Sequence, residues 1–225
     1  MKISYYGHSF FKIKGKDHTI LIDPFITGNP SASCSVDDFA PDAVLVTHGH
    51  GDHLGDAIPI SKKTGSLIIA PYELAMYCQN QGANVHPMHI GGTFDFEFGR
   101  VKLTIAHHGS MTPDGKYAGN PCGFLLTMDN MTIYHAGDTG LFYDMKLIGE
   151  INKIDIAMLP IGGNFTMDRL DAVRAVKFLR PRHVIPIHFN TFDMIKTDVQ
   201  AFVKDINRET DSEPLYIEFN TSIDI

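Results

Sequence analysis

The stretch Thr47-His48-Gly49-His50-Gly51-Asp52-His53 puts four groups able to ligate a metal into six residues, directly after the apolar run Ala43-Val44-Leu45-Val46. A run of that length and composition reads as a buried strand, so the fold has to deliver all four side chains at the end of a strand. His48 and His50 stand two residues apart, and the strand's alternation aims both to one side. The turn that follows can direct Asp52 and His53 toward a second point, which suits two divalent ions better than one. Gly49 and Gly51 are expected to remove side-chain bulk and to allow positive φ in a tight loop. The plain alternative, a surface loop that happens to be rich in histidine, leaves the position after the apolar run unexplained.

Around this motif the chain alternates short apolar runs with amphipathic stretches. Strand-like runs cover 2–6, 10–13, 19–23, 43–47, 67–70, 101–107, 124–128, 132–135, 154–159 and 183–187. Apolar residues at three- and four-residue spacing predict helices over 56–63, 72–79, 144–151, 169–179 and 198–208. Turns at Gly15 and at Asp129-Asn130 mark antiparallel hairpins. Two strand-rich halves with helices on their outer flanks predict an α/β fold built as a four-layer αββα sandwich, with one domain over residues 1–225.

Composition narrows the partners. The formal net charge of -7 and the scattering of the 19 Lys and Arg residues leave no footprint for a polyanion, so nucleic acid is a disfavoured partner and a small molecule the expected one. No apolar run reaches a membrane span. The first eleven residues carry Lys2, Ser4 and His8 and lack an export signal, and the three cysteines Cys34, Cys78 and Cys122 stand in no paired spacing. A cytoplasmic location follows as the expectation.

His48, His50, Asp52 and His53 resemble the HxHxDH motif of the metallo-β-lactamase superfamily. That resemblance implies three further ligands downstream, each at a strand end, and His108, Asp138 and His188 stand in the required order after apolar runs. It implies that His48, His50 and His108 hold one metal ion, that Asp52, His53 and His188 hold the other, and that Asp138 bridges them, a role suited to two carboxylate oxygens. It also puts Asp52, Asp138 and His188 in catalytic roles. At His107-His108 only one side chain can face the metals, and His108, nearer the following loop, is the one favoured. Imidazole ligands need an acceptor for their second N–H. Asp23, in Ile22-Asp23-Pro24, is the orienting residue expected there, with His8 in Gly7-His8-Ser9 a second. His135 reads as buried and hydrogen-bonded, and His86 and His89 as structural.

Gly7-His8-Ser9, Ile22-Asp23-Pro24, the HxHxDH loop, Tyr134-His135-Ala136-Gly137-Asp138-Thr139 and His188-Phe189-Asn190 look most like the branch of the superfamily that contains ascorbate-phosphate lactonases. Closer still are its small metal-dependent hydrolases with no assigned substrate. Several departures separate the chain from other branches. A flavodiiron oxidoreductase would carry Glu at the position of His50, a transfer-RNA processing nuclease a basic arm, and a glyoxalase-type thioesterase a basic helical carboxy-terminal segment. The resemblance therefore implies a hydrolase in which two divalent ions, zinc or else manganese, iron, nickel or cobalt, make water the nucleophile. The expected substrate is a small ester-like molecule, a lactone or a phosphoester. The only basic residues near the loops flanking the site, Lys116, Arg169 and Lys196, tip this toward carboxyl chemistry. The loop 110–121 and the segment Gly162-Gly163-Asn164-Phe165-Thr166 are expected to wall the pocket, with Tyr117 and Phe165 facing an apolar part of the substrate. Two other readings are a non-catalytic metal-binding protein and a nuclease that borrows its RNA surface from a partner. Self-association into a homo-oligomer is expected for a chain of this type.

Overall fold

The computed structural model describes all 225 residues. The first half of the chain forms β1 (Lys2–Tyr5), β2 (Phe11–Lys14), β3 (Thr19–Ile22), β4 (Ala43–Leu45), α1 (Gly51–Leu54), α2 (Ala57–Thr64), β5 (Leu67–Pro71), α3 (Tyr72–Asn80) and β6 (Val85–Met88). The second half forms β7 (Thr93–Phe96), β8 (Gly99–Ile105), β9 (Cys122–Met128), β10 (Met131–His135), α4 (Asp144–Ile151), β11 (Ile156–Pro160), α5 (Arg169–Leu179), β12 (His183–Ile187), α6 (Val199–Glu209), β13 (Glu213–Pro214) and β14 (Thr221–Asp224). Two seven-stranded mixed sheets result, ordered β14-β1-β2-β3-β4-β5-β6 and β13-β12-β11-β10-β9-β8-β7. With helices on the outer faces, the expected αββα sandwich is the architecture found.

Strands in such a sheet are covered on both faces, so they read as continuous apolar runs rather than alternating ones. In β3 and β4, Ile20, Ile22, Ala43 and Leu45 face the other sheet and join a core of 44 buried residues. Their neighbours Leu21, Val44 and Val46 face outward, into a second cluster of 16 with Ala57, Ile60, Leu74 and Ala75 of α2 and α3. The period of two splits one apolar run between two cores. The Asp129-Asn130 turn takes φ of 52° and 64° and joins β9 to β10 as the two-residue hairpin expected. Helix α5 begins at Asp168, whose carboxylate accepts from the Asp171 amide, and α6 begins at Asp198 in the same way.

Four strands, β6, β7, β13 and β14, were absent from the sequence expectation, and β13 is an edge strand of only two residues. β6 carries Pro87, which a sheet tolerates at its edge, and β6 is the last strand of its sheet. β7 and β14 are also edge strands and are mostly exposed, so they carry no buried apolar period to read. The HxHxDH loop contains the short helix α1 where only a turn was expected.

β1, β3, β4, β5 and β6 run in one direction, as do β8, β10, β11 and β12. The segments that follow their carboxy-terminal ends gather along one edge of the sandwich. No helix is long and apolar enough to cross a membrane.

Burial holds the thiols in their protonated form: Cys78 is pushed up to about 12, Cys122 well above the usual thiol range, and the half-buried Cys34 to about 11. The native protein at pH 8 should therefore take up iodoacetamide slowly, at Cys34 first, whereas all three cysteines should label in denaturant. Mass spectrometry of the labelled chain reads this directly, and rapid native labelling of Cys122 would contradict the packing.

Candidate metal centre

Each side chain of the centre hangs from a segment that leaves a strand at the same edge. His8 follows β1, Asp23 follows β3, the HxHxDH loop follows β4, His108 follows β8, Asp138 follows β10 and His188 follows β12. His48, His50 and His108 bring ligand atoms within 4.8 Å of one another, and so do His8, Asp52, His53 and His188. His48, His53 and Asp138 form a third such group between the first two. His8, Asp23, His48, His53, Asp138 and His188 are buried. His107 turns away and stacks on Phe142, with ring centroids 5.0 Å apart. His86 packs against Phe94 and Phe96, and His89 stacks on Tyr72.

The proton bookkeeping around Asp23 sets the chemistry. Asp23 is fully buried, and its carboxylate accepts from the Thr47 amide at 2.8 Å, the Thr47 hydroxyl at 2.7 Å and His53 Nδ1 at 2.8 Å. Because the Thr47 hydroxyl gives its proton to Asp23, its oxygen accepts from His48 Nδ1, 2.9 Å away. One carboxylate thus puts the ring proton of both His48 and His53 on Nδ1 and turns both Nε2 lone pairs toward the cluster. There His48 Nε2 lies 3.0 Å from His50 Nδ1, and His53 Nε2 lies 3.3 Å from Asp138 Oδ1. Pairs of acceptors held face to face need a cation or a proton between them.

His53 Nε2, Asp138 Oδ1 and His188 Nδ1 are buried and have no hydrogen-bond partner in the protein. Buried polar atoms without partners are rare, and a bound ion is one of the few arrangements that accounts for several together. The donor set of imidazoles and carboxylates therefore fits divalent metal ions.

The remaining contacts tighten the same picture. Asp138 Oδ2 lies 3.0 Å from His188 Nε2 and 3.5 Å from His108 Nε2. Burial works to raise the Asp138 carboxyl, but the charges of His188 and His53 outweigh it and hold it well below the usual carboxylate range. Burial likewise works to lower His53, and the Asp138 and Asp23 carboxylates overcome it, so its pKa is raised. His48 has less such compensation: burial, reinforced by His53, drives it well down. His8 donates from Nε2 to Asp52 at 3.1 Å and meets the Thr191 hydroxyl through Nδ1 at 3.1 Å. Burial lowers His8 to about 4 despite the Asp52 contact.

Several contributors had escaped the sequence. Thr47 relays between Asp23 and His48, and asking what accepts the second N–H of His48 would have pointed to it. Thr191 and the Ser110 hydroxyl, which accepts from the Gly49 amide at 3.1 Å, come from distant loops and carry no local signal. His135 accepts from the Gly137 amide and so shapes the turn into Asp138. The expectation for the two motif glycines needs correction, since neither has positive φ. Gly49 is required by close approach: a Cβ there would lie 2.6 Å from the Ala118 Cβ and 3.0 Å from the Met111 carbonyl oxygen. Gly51 has nothing within 4 Å.

Comparison with known proteins settles the family. The family model described as a beta-lactamase superfamily domain matches residues 2–188. The chain belongs to the β-lactamase superfamily. Within that family it is 51% identical over 215 residues to a UPF0173 metal-dependent hydrolase of Bacillus cereus, covering 93% of this chain and 95% of the relative. A Geobacillus protein of the same description is 56% identical over 207 residues, covering 90% and 92%. Among solved structures, Igni18 of Ignicoccus hospitalis, described as a novel metallo hydrolase, superposes with a TM-score of 0.91 at 35% identity over 99% of this chain and 97% of that one. The chain is accordingly a metal-dependent hydrolase, which sets aside the non-catalytic reading.

Two outcomes follow from this geometry. Asp23→Ala should weaken metal affinity by roughly 10- to 100-fold, the usual cost of losing an orienting partner of a ligand, measured by competition with a chromophoric chelator. Gly49→Ala should lower stability by about 1–3 kcal/mol through overpacking, while Gly51→Ala should be neutral or slightly stabilising in α1. Thermal melts in chelator compare the two, and equal effects would contradict the contacts described.

Proposed function

We propose that this superfamily member holds two divalent metal ions and hydrolyses a small ester-like substrate, a lactone or a phosphoester. What supports the reading above all is the set of imidazole nitrogens crowded around the buried Asp138 carboxylate: His53 Nε2 at 3.3 Å, His188 Nε2 at 3.0 Å and His108 Nε2 at 3.5 Å. His48, His50 and His108 would hold one ion and Asp52, His53 and His188 the other, and Asp138 would contribute to holding both. Zinc suits imidazole with carboxylate, and manganese, iron, nickel and cobalt share that preference. When bound, such ions lower the pKa of water from about 15.7 to about 7 and polarise the bond to be broken.

The protein's own groups have separable roles in this proposal. Asp23, directly for His53 and through Thr47 for His48, holds a ring proton on Nδ1 and aims both Nε2 atoms at the cluster. Both nitrogens of His8 are engaged by Asp52 and Thr191, so His8 orients the Asp52 carboxylate rather than ligating. Asp52 Oδ2 is committed to His8, which leaves Oδ1 as the oxygen that would help hold an ion. Asp138, 3.0 Å from His188 and 3.3 Å from His53, would help hold the ions and orient the attacking water, and His188 would serve as a ligand or assist the leaving group. Cys78 and Cys122 are buried with raised pKa and do not serve as nucleophiles. The expected partner is a small molecule, and the three free thiols suit a reducing, cytoplasmic setting.

Protein purified without chelator should carry near two equivalents of divalent metal by elemental analysis. His48→Ala and Asp138→Ala should lower both metal content and turnover of a lactone or a phosphodiester by 100-fold or more, on the order expected for loss of the activating ion. Prolonged dialysis against chelator should abolish turnover, and added zinc or manganese should restore it. A folded protein that binds no divalent metal would sink the proposal.

A further inference from the structure

Large apolar side chains are exposed where the chemistry is. Met111 and Tyr117 lie on the loop after His108, Phe165 on the loop after β11, and Phe192 and Met194 on the loop after His188. Five of the protein's thirteen exposed large hydrophobics therefore stand on loops bordering the metal centre, all more than 40% exposed. Contacts tie these loops to the centre itself. The Phe192 ring lies 5.5 Å from the His8 ring and 6.4 Å from Phe25. The Met111 carbonyl packs on Gly49, and the loop bearing Phe165 begins at Gly162, against the His188 carbonyl. Clustered exposed apolar groups cost solvation and mark a binding surface.

The charges on the same loops point the same way. Their only cations are Lys116, Arg169 and Lys196. Each is already paired: Lys116 with Asp114 at 2.7 Å, Lys196 with Asp193 at 2.7 Å, and Arg169 with the buried Asp205. The lysine pairs are exposed and weak, but each brings its own counter-charge, so neither loop offers a surplus positive charge. By contrast, Lys153, Arg180 and Arg182 form no ion pair and line a cleft with Ile154 at the opposite edge, before β11 and β12. The loops bordering the metal centre thus carry no unpaired Lys or Arg, and they expose five large apolar side chains.

We infer that the substrate is an uncharged carboxyl ester or lactone bearing an apolar acyl or aryl group, which Phe165 and Phe192 receive, and that anionic phosphoesters are discriminated against. This rests on the hydrolytic reading of the same site. Water adds to the carbonyl carbon, the bond from that carbon to the alkoxy oxygen breaks, and one water proton passes to the leaving oxygen. The products are a carboxylic acid and an alcohol, or a hydroxy acid from a lactone, and no other reactant is consumed.

The test uses the metal-loaded protein with p-nitrophenyl acetate, butyrate and octanoate against bis(p-nitrophenyl) phosphate. The expected result is that kcat/KM rises with acyl length and exceeds that for the phosphodiester by 10-fold or more. Phe165→Ser and Phe192→Ser together should reduce the octanoate-to-acetate ratio by roughly 10- to 100-fold, in keeping with loss of several methylene contacts. Binding of the neutral fluorophore N-phenyl-1-naphthylamine supplies a readout independent of turnover, and it should weaken in the same double variant. Preference for the phosphodiester, or an unchanged ratio and unchanged dye binding in the double variant, overturns the inference while leaving the hydrolase reading intact. Sedimentation analysis closes the remaining route: if the wild type is an oligomer that the double variant dissociates, these side chains form an interface between copies and the inference is overturned. Absence of turnover on every substrate by protein with full metal content counts against the hydrolytic reading instead, and dye binding still decides whether the apolar surface binds a neutral ligand.

Discussion

The orientation of His48 and His53, the two buried histidines of the central motif, depends on the carboxylate of Asp23. It is fully buried, and a buried charge is tolerated only when hydrogen bonds compensate its lost hydration. Thr47 supplies two of those bonds and His53 the third. The same three bonds that make the charge tolerable also determine which nitrogen of His48 and of His53 carries a proton. Stability and function are therefore joined in one interaction, since removing the carboxylate would strip the orientation from two ligands at once.

The backbone bears a matching cost. His8, Asp23 and His188 take positive φ of 57°, 46° and 52°, a region that side chains other than glycine enter at an expense of order 1–3 kcal/mol. Two of these residues are linked through the main chain, because the His188 amide donates to the His8 carbonyl at 2.7 Å and that carbonyl also accepts from the Tyr5 hydroxyl. Such strain persists only where the surroundings over-determine it. Here the surroundings are the rigid ends of β1, β3 and β12, drawn from both sheets and locked by the core between them.

That arrangement explains why a sandwich serves this chemistry. Strands whose carboxy-terminal ends lie along one edge let short loops project ligands toward a common point, while the loops themselves remain free to vary in what they present to a substrate. The loops here present apolar side chains and internally balanced charges. Their chemistry is a property of the surface around the candidate centre, separable from the residues that form it.

The amino-acid order alone determined the fold class and the location of the chemistry. Ala43 to Val46 had to be a strand, the four candidate ligands had to follow it, and the strands leading to His108, Asp138 and His188 were legible because strand burial and residue type are both local properties. The extents of α4 and α5 were legible for the same reason. What only the tertiary structure decided was everything that depends on contact between distant segments. The turning of His107 onto Phe142, the Thr47 relay, the need for Gly49 beneath Ala118 and the pairing of Arg169 with Asp205 join residues far apart in sequence, and no periodicity records such meetings. The edge strands β6, β7, β13 and β14 were missed for a related reason, because an edge strand is defined by the neighbour it pairs with and these four have little buried period of their own. Local chemistry is written in the order of residues, whereas protonation, clearance and pairing arise only when the chain closes on itself.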